Sequence, residues 1–306
     1  MSDSSPIQDA LAKITAKRHA RRRFFSQAAI AGVAGVAGLS VLGANPLAAL
    51  AQTTVTDNDI FNFALNLEYL EAEFYLRATT GAGLPDAMTT GTGTRGDVTG
   101  GSQVTFTSDA VRQYANEIAS DEMSHVRFFR TALSTAAVAR PAINLRESFI
   151  AAGNAAGVAN FNPFADENSF LLGAFLFEDV GVTAFKGAAP LISSRTNLEN
   201  AAGVLAVEAY HAGLIRTVLF ARGLGRATGQ ISDARDSLDG STDDDQGILN
   251  TDGTANIVPT DANGLAYSRT SAQVLNVVYL TPTATTRGGF FPNGVNGTLN
   301  TSGANG

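Results

Sequence analysis

Two histidines, His125 and His211, each stand three residues after a glutamate, in Glu122-x-x-His125 and Glu208-x-x-His211. The third histidine, His19, falls in the N-terminal leader. On an α-helix, residues three apart share a face about one turn apart, so each carboxylate and its imidazole converge on the same side. Such a pair on each of two helices, joined by one glutamate from each of two others, is the donor set of four-helix bundles that hold two metal ions. Glutamate is scarce, at ten residues in 306, so the repeated offset points to a helical spacing rule rather than chance.

The first fifty residues read as a targeting segment and stay outside the fold. Ala20-Arg21-Arg22-Arg23-Phe24-Phe25 resembles the twin-arginine export signal, in which two arginines, any residue and a phenylalanine precede an apolar stretch. The run from Ala28 to Leu42 is apolar, and Ala49-Leu50-Ala51 supplies small residues before an expected cleavage ahead of Gln52. A retained membrane anchor is the alternative. The run is rich in Ala and Gly and interrupted by Ser40, Asn45 and Pro46, which is weak for a span of about 20 apolar residues. Removing residues 1–51 takes away six Lys/Arg and two Asp, so the net charge moves from −7 to −11, and Lys186 is the remaining lysine. So acidic a body does not suit a phosphate backbone, and no nucleic-acid partner is expected. With no cysteine, disulfides, thiolate metal sites and iron–sulfur centres are excluded.

Four long helices are expected in residues 52–225. The first runs over Asp57–Ala78, with Phe61, Ala64, Leu65, Glu68, Ala72 and Tyr75 on one side. A Gly/Thr-rich insert over 79–107 follows, with a short hairpin expected around Gln103–Phe106. The second helix starts near Ser108-Asp109 and reaches about Ala137; the third spans Glu167–Ala188, stopped by Pro190. Thr196-x-x-Glu199 has the form of a capping box opening the fourth, which ends at Gly223. Residues 138–166, with a short helix around Glu147–Ala152, are long enough to cross the bundle. The short link between third and fourth helices makes those two antiparallel neighbours. Residues 226–306 read as a loop-rich C-terminal extension packing on the bundle. Ser271–Leu280 is its apolar segment, Phe290-Phe291-Pro292 is able to dock, and the last residues have a weakly anchored, loop-like composition.

The helices repeat. Glu122-x-x-His125-x4-Arg130 aligns with Glu208-x-x-His211-x4-Arg216, and Glu68 aligns with Glu178, Tyr75 with Phe185. Two copies of one helical hairpin, related by an approximate two-fold axis, give each metal one terminal carboxylate and one histidine and leave two glutamates to bridge. The first helix offers Glu68, Glu71 and Glu73. The repeat favours Glu68, with Glu71 as the competing choice. The expected ligands are therefore Glu68, Glu122, His125, Glu178, Glu208 and His211. Four inward carboxylates without cations would cost several kcal/mol per charge, which two divalent ions offset. Imidazole and carboxylate without thiolate suit iron or manganese better than copper(I) or structural zinc. The competing reading, exposed helical hydrogen bonds, conflicts with the apolar residues around Glu178 and before Glu208. Asp121 and Asp179 each adjoin an expected ligand and are candidates to orient a histidine, or else face solvent. Arg130 and Arg216 are expected to close ion pairs at the bundle end. Tyr75 is either a hydrogen-bond donor to a ligand carboxylate or core.

The segments Asn66–Tyr75 and Phe177–Val182, with Gly288–Gly294 near the C-terminus, resemble the exported ferritin-like domain family. That family includes twin-arginine-secreted bacterial proteins and plant desiccation-associated proteins. The resemblance covers residues 57–295 and implies an all-α, ferritin-like four-helix bundle, but no assigned reaction. The first functional expectation is dimetal redox chemistry on hydrogen peroxide or dioxygen, as in a catalase, peroxidase or ferroxidase. It carries two iron or manganese ions per chain, in a periplasmic or extracellular protein that uses the twin-arginine export machinery. A homo-oligomer is compatible with the sequence. The second is a non-enzymatic stress or envelope protein whose metal stabilises the bundle. A storage cage is the weakest reading, given the insert and extension, and a rubredoxin-type relay lacks its cysteines.

Overall fold

The computed structural model describes residues 55–305. The expected leader over 1–51 and its cleavage point lie outside the described residues.

Four long helices form the frame. Helix α1, Asp57–Thr80, opens on a reciprocal capping box between Thr56 and Asp59 and closes at Gly81, whose φ of 80° suits a residue without Cβ. It is buried on nearly every side. Helix α2, Asp109–Leu133, capped by Ser108, buries Val111, Ala115, Ile118, Glu122, His125, Val126, Phe129 and Leu133 at three- and four-residue intervals. Its outer face is polar. In the 134–166 connection lies α3, Glu147–Ala155. Helix α4, Glu167–Ala188, is capped by Asp166, and α5, Arg195–Ala221, by Ser194, whose side chain accepts from the Asn197 N–H. The expected cap at Thr196 is thus displaced by two residues, because Ser194 has the extended backbone (φ −78°, ψ 125°) a cap requires. Helix α1 packs along α2 and α4 along α5, with α1 against α4 between the pairs. The 189–194 link is short and the 134–166 link crosses the bundle, as the sequence implies.

The insert does not form a hairpin. Strand β1, Val98–Thr99, pairs in parallel with β2, Ile143–Asn144, in the crossover connection. Residues 103–106 instead tie back to α1, the Val104 N–H donating to the Ala78 carbonyl with the Val104 side chain buried. Tertiary contact with the crossover replaces the local pairing that alternation suggested.

The extension holds two helices. Helix α6, Gly225–Asp239, is absent from the sequence reading, which took this stretch as loop. Its buried side is Thr228, Ile231, Ser232, Arg235 and Asp239, a helical period written mostly in polar residues. Helix α7, Ser271–Tyr279, is capped by Thr270 and buries Val274, Leu275, Val277 and Val278. Phe290 and Phe291 are fully buried, Phe290 meeting Phe149 and Phe177 edge-on at 5.0 Å. The tail does not trail away: Ser302 and Thr285 exchange backbone and side-chain hydrogen bonds, and Asn276 holds Gly303 and Asn305. Residues Thr260–Leu265 form a loop closed on the Asp261 carboxylate, which accepts from the Asn263 and Leu265 N–H groups. With no tryptophan, phenylalanines fill the core; Phe74 stacks on Phe170 at 5.6 Å and meets Phe149, Phe164 and Phe177.

Candidate metal centre

The four bundle helices deliver their inward glutamates and histidines to one level. Glu68 comes from α1, Glu122 and His125 from α2, Glu178 from α4, and Glu208 and His211 from α5. Two groups arise in which all donor atoms lie within 4.8 Å of one another: Glu68, Glu122, His125 and Glu208, and then Glu122, Glu178 and His211. All six expected residues are buried and meet here. Glu71, the competing choice on α1, is also buried beside the cluster but stands in neither group. Glu73 turns away to pair with Arg140 and Arg77.

Glu122 lies at the centre. Its Oε1 is 3.1 Å from His211 Nδ1 and its Oε2 is 3.4 Å from His125 Nδ1. His125 Nδ1 also stands 3.2 Å from Glu68 Oε2 and 3.8 Å from Glu208 Oε1, and His211 Nδ1 is 3.5 Å from Glu178 Oε2. Both rings thus turn Nδ1 inward, their centroids 6.4 Å apart. Yet both oxygens of Glu68, Glu122 and Glu208, Glu178 Oε2, Glu71 Oε2 and both Nδ1 atoms lack a hydrogen bond. Buried polar atoms left without partners are costly, and so many converging on one point fit a metal site.

The electrostatics follow from the crowding. Burial pushes Glu68 up to about 8 against the pull of His125. Burial, then the neighbouring carboxylates, drive Glu71 and Glu208 well above the usual carboxylate range. Burial would raise Glu122 too, but the two imidazoles outweigh it and hold this central carboxyl at about 2. Burial opposes the imidazolium forms, yet Glu68 and Glu122 hold His125 at about 11, and Glu178 and Glu122 hold His211 at about 12. In the metal-free chain, protons neutralise the negative charge that cations would otherwise balance.

Around this centre the supporting residues divide unevenly. Asp121 Oδ2 lies 3.2 Å from His211 Nε2, so a ring that gives Nδ1 to a metal donates Nε2–H to Asp121. Tyr75 donates its hydroxyl to Glu178 Oε1, which makes it a partner of the cluster as well as core. Asp179 orients no histidine. It accepts from Arg216 at 2.6 Å and lies 3.3 Å from Arg235, inside a buried network that continues through Asp245, Arg269 and Asp239. Helical geometry explains this, since residue 179 points about 100° away from Glu178. Arg216 pairs as expected and also donates to the carbonyls of Gln246, Gly247, Asn256 and Ile257. Arg130 has no carboxylate partner among the described residues; it donates to the Tyr69 hydroxyl and to the Thr90 and Ala87 carbonyls, holding down the insert. Gly181 was missed by the sequence reading. A Cβ there would meet Glu208 Oε2 at 2.2 Å and Glu71 Oε1 at 3.4 Å, so its bareness makes room for both carboxylates. Its position one turn after Glu178 was the available signal.

Comparison with known proteins places the site in context. The model of the ferritin-like domain matches residues 56–221, which span all four bundle helices. The chain is 28% identical over 265 residues to a ferritin-like catalase of Nesocodon mauritianus, an alignment covering 79% of this chain and 84% of that protein. It is 30% identical over 242 residues to a desiccation-related protein of Craterostigma plantagineum, covering 72% and 76% respectively. No solved structure matches the chain significantly. The bundle, its inward carboxylates and histidines, and these matches together make the chain a member of the ferritin-like domain family.

Proposed function

We propose that this chain binds two iron or manganese ions and carries out redox chemistry on hydrogen peroxide or dioxygen, as a catalase, peroxidase or ferroxidase does. The observation that carries this reading is Glu122, with one carboxylate oxygen facing each inward Nδ1 at 3.1 and 3.4 Å. Glu68, Glu122, His125 and Glu208 would hold one ion, and Glu122, Glu178 and His211 the other. Bound there, the metals would supply the electrons that peroxide or dioxygen exchanges. The chain's own residues do the rest. Tyr75 keeps Glu178 turned inward. Phe177, Val180 and the aliphatic part of α1 limit water around the carboxylates. The histidines are 8% and 5% exposed, and to so closed a centre we assign a small oxidant rather than a bulky substrate. The relative named a ferritin-like catalase supports peroxide as that oxidant.

We place this activity outside the cytoplasm, reached through the twin-arginine machinery. That route carries folded proteins, so manganese or iron would be loaded before copper and zinc, which bind more tightly, could compete. Replacing Arg21, Arg22 and Arg23 together by lysine should leave the full-length chain in the cytoplasm.

Metal analysis of the native protein should give about two ions per chain. The loaded protein should release oxygen from peroxide, and Glu122→Ala and His211→Ala should abolish that release. Fewer than one ion per chain, with unchanged stability in both variants, would sink the metal reading. The relative named for desiccation favours a second reading, in which metal mainly holds the bundle of a non-enzymatic stress or envelope protein. Two bound ions with inertness towards both peroxide and iron(II) plus oxygen would select it.

A further inference from the structure

The internal repeat superposes the two halves of the centre, and the halves disagree at two places. The α2–α5 register that aligns His125 with His211 also aligns Asp121 with Val207. The α1–α4 register that aligns Glu68 with Glu178 also aligns Glu71 with Gly181. Asp121 serves the His211 half alone, while Glu71 stands beside Glu208. Asp121 Oδ2 sits 3.2 Å from His211 Nε2, whereas the ion pairs of His125 among the described residues are those of its Nδ1 with Glu68, Glu122 and Glu208. Glu71, a buried carboxylate with an unpartnered oxygen, reaches across to the bare Cα of Gly181, one turn beyond Glu178. The Glu178–His211 half therefore has a histidine anchored from behind. The Glu68–His125 half has no such anchor.

We infer that the two metal positions are inequivalent and fill in order, the Glu178–His211 position first, with Asp121 as the positioning residue that sets the difference. A carboxylate on the outer nitrogen fixes the ring and makes Nδ1 a better donor, and removing such a partner costs about 10–100-fold in metal affinity. The half-filled chain is then a defined species with one ion on His211. This rests on the dimetal reading above and adds an order to it.

Stepwise addition of manganese(II) to the metal-free full-length chain, with free ion followed by its EPR signal, tests the order directly. Wild type should bind one equivalent about 10–100-fold more tightly than the second. Asp121→Val copies the poorer half onto the better one; it should weaken the first step by a similar factor and leave the second alone. Val207→Asp makes the reverse change and should tighten the second step, an effect no general loss of structure can produce. His125→Ala should keep the tight step and His211→Ala lose it. Two steps of equal affinity in wild type, or a tight step that survives His211→Ala and vanishes with His125→Ala, would overturn the order while leaving the dimetal reading standing. A wild type that binds neither manganese(II) nor iron(II) would overturn both.

Discussion

Gly181 and Glu208 share one space: a Cβ at residue 181 would fall 2.2 Å from Glu208 Oε2. The clash falls on the end of a side chain, which can swing, rather than on backbone. Gly181→Ala should therefore leave the fold intact, within about 1–3 kcal/mol of wild type, while displacing a carboxylate from the centre. The expected outcome is a folded chain by circular dichroism with fewer than two metals bound. Full metal content would show that Glu208 is not needed where it stands.

Tyr75 is fully buried and its hydroxyl has one acceptor, Glu178 Oε1. Burial, then the nearby charge of Glu178, raises its pKa well above the ordinary phenol value, so it remains a donor at all working pH. Tyr75→Phe strips that donor and leaves a buried carboxylate oxygen unpaired, at about 1–3 kcal/mol. Thermal melting should show this loss, larger in the metal-free protein than in the loaded one, where the ion still holds Glu178.

Asp179 is placed to test whether adjacency to a ligand means involvement with it. Removing it in Asp179→Ala leaves Arg216 and Arg235 buried with less compensation, at about 3–5 kcal/mol. The melting temperature should fall by several degrees and the C-terminal extension should become protease-sensitive first. Metal stoichiometry at a temperature where the variant is folded should stay that of wild type.

The metal-free protein should lose stability as pH rises. Glu68, raised to about 8, gains its proton more readily folded than unfolded, so its contribution is complete below about 4.5 and is lost as pH climbs to 8. His125 and His211, at about 11 and 12, act with the same sign, their contributions beginning to decline above the unfolded value of 6.5. Glu122, held at about 2, opposes them only in strong acid, where its contribution fades. The loaded protein should behave in reverse between pH 5 and 8, because metal binding requires those same protons to leave. Melting curves with and without manganese across this range check both slopes.

The helices and the side chains that converge between them were legible because both depend on spacing along one chain. An offset of three between Glu122 and His125 fixes a shared helical face whatever packs against it. The cap at Ser108 depends on the backbone preference of a single residue. Helix α6 escaped notice for the converse reason. Its inward residues Thr228, Ser232, Arg235 and Asp239 are polar, so a search for apolar periodicity passes over it, and the face is buried only because arginines and aspartates from elsewhere complete it.

By itself, then, the sequence determined which side chains could act together: two Glu-x-x-His pairs and their glutamate companions, each committed to one face of its own helix. Tertiary structure decided what stands behind them. It gave Asp121 to His211 and Asp179 to Arg216, and it set Glu71 against Gly181. Those pairings join residues up to 110 positions apart in the chain, and no local period encodes the distance between two helices. Only packing settles which of two neighbouring carboxylates meets an imidazole and which meets a guanidinium.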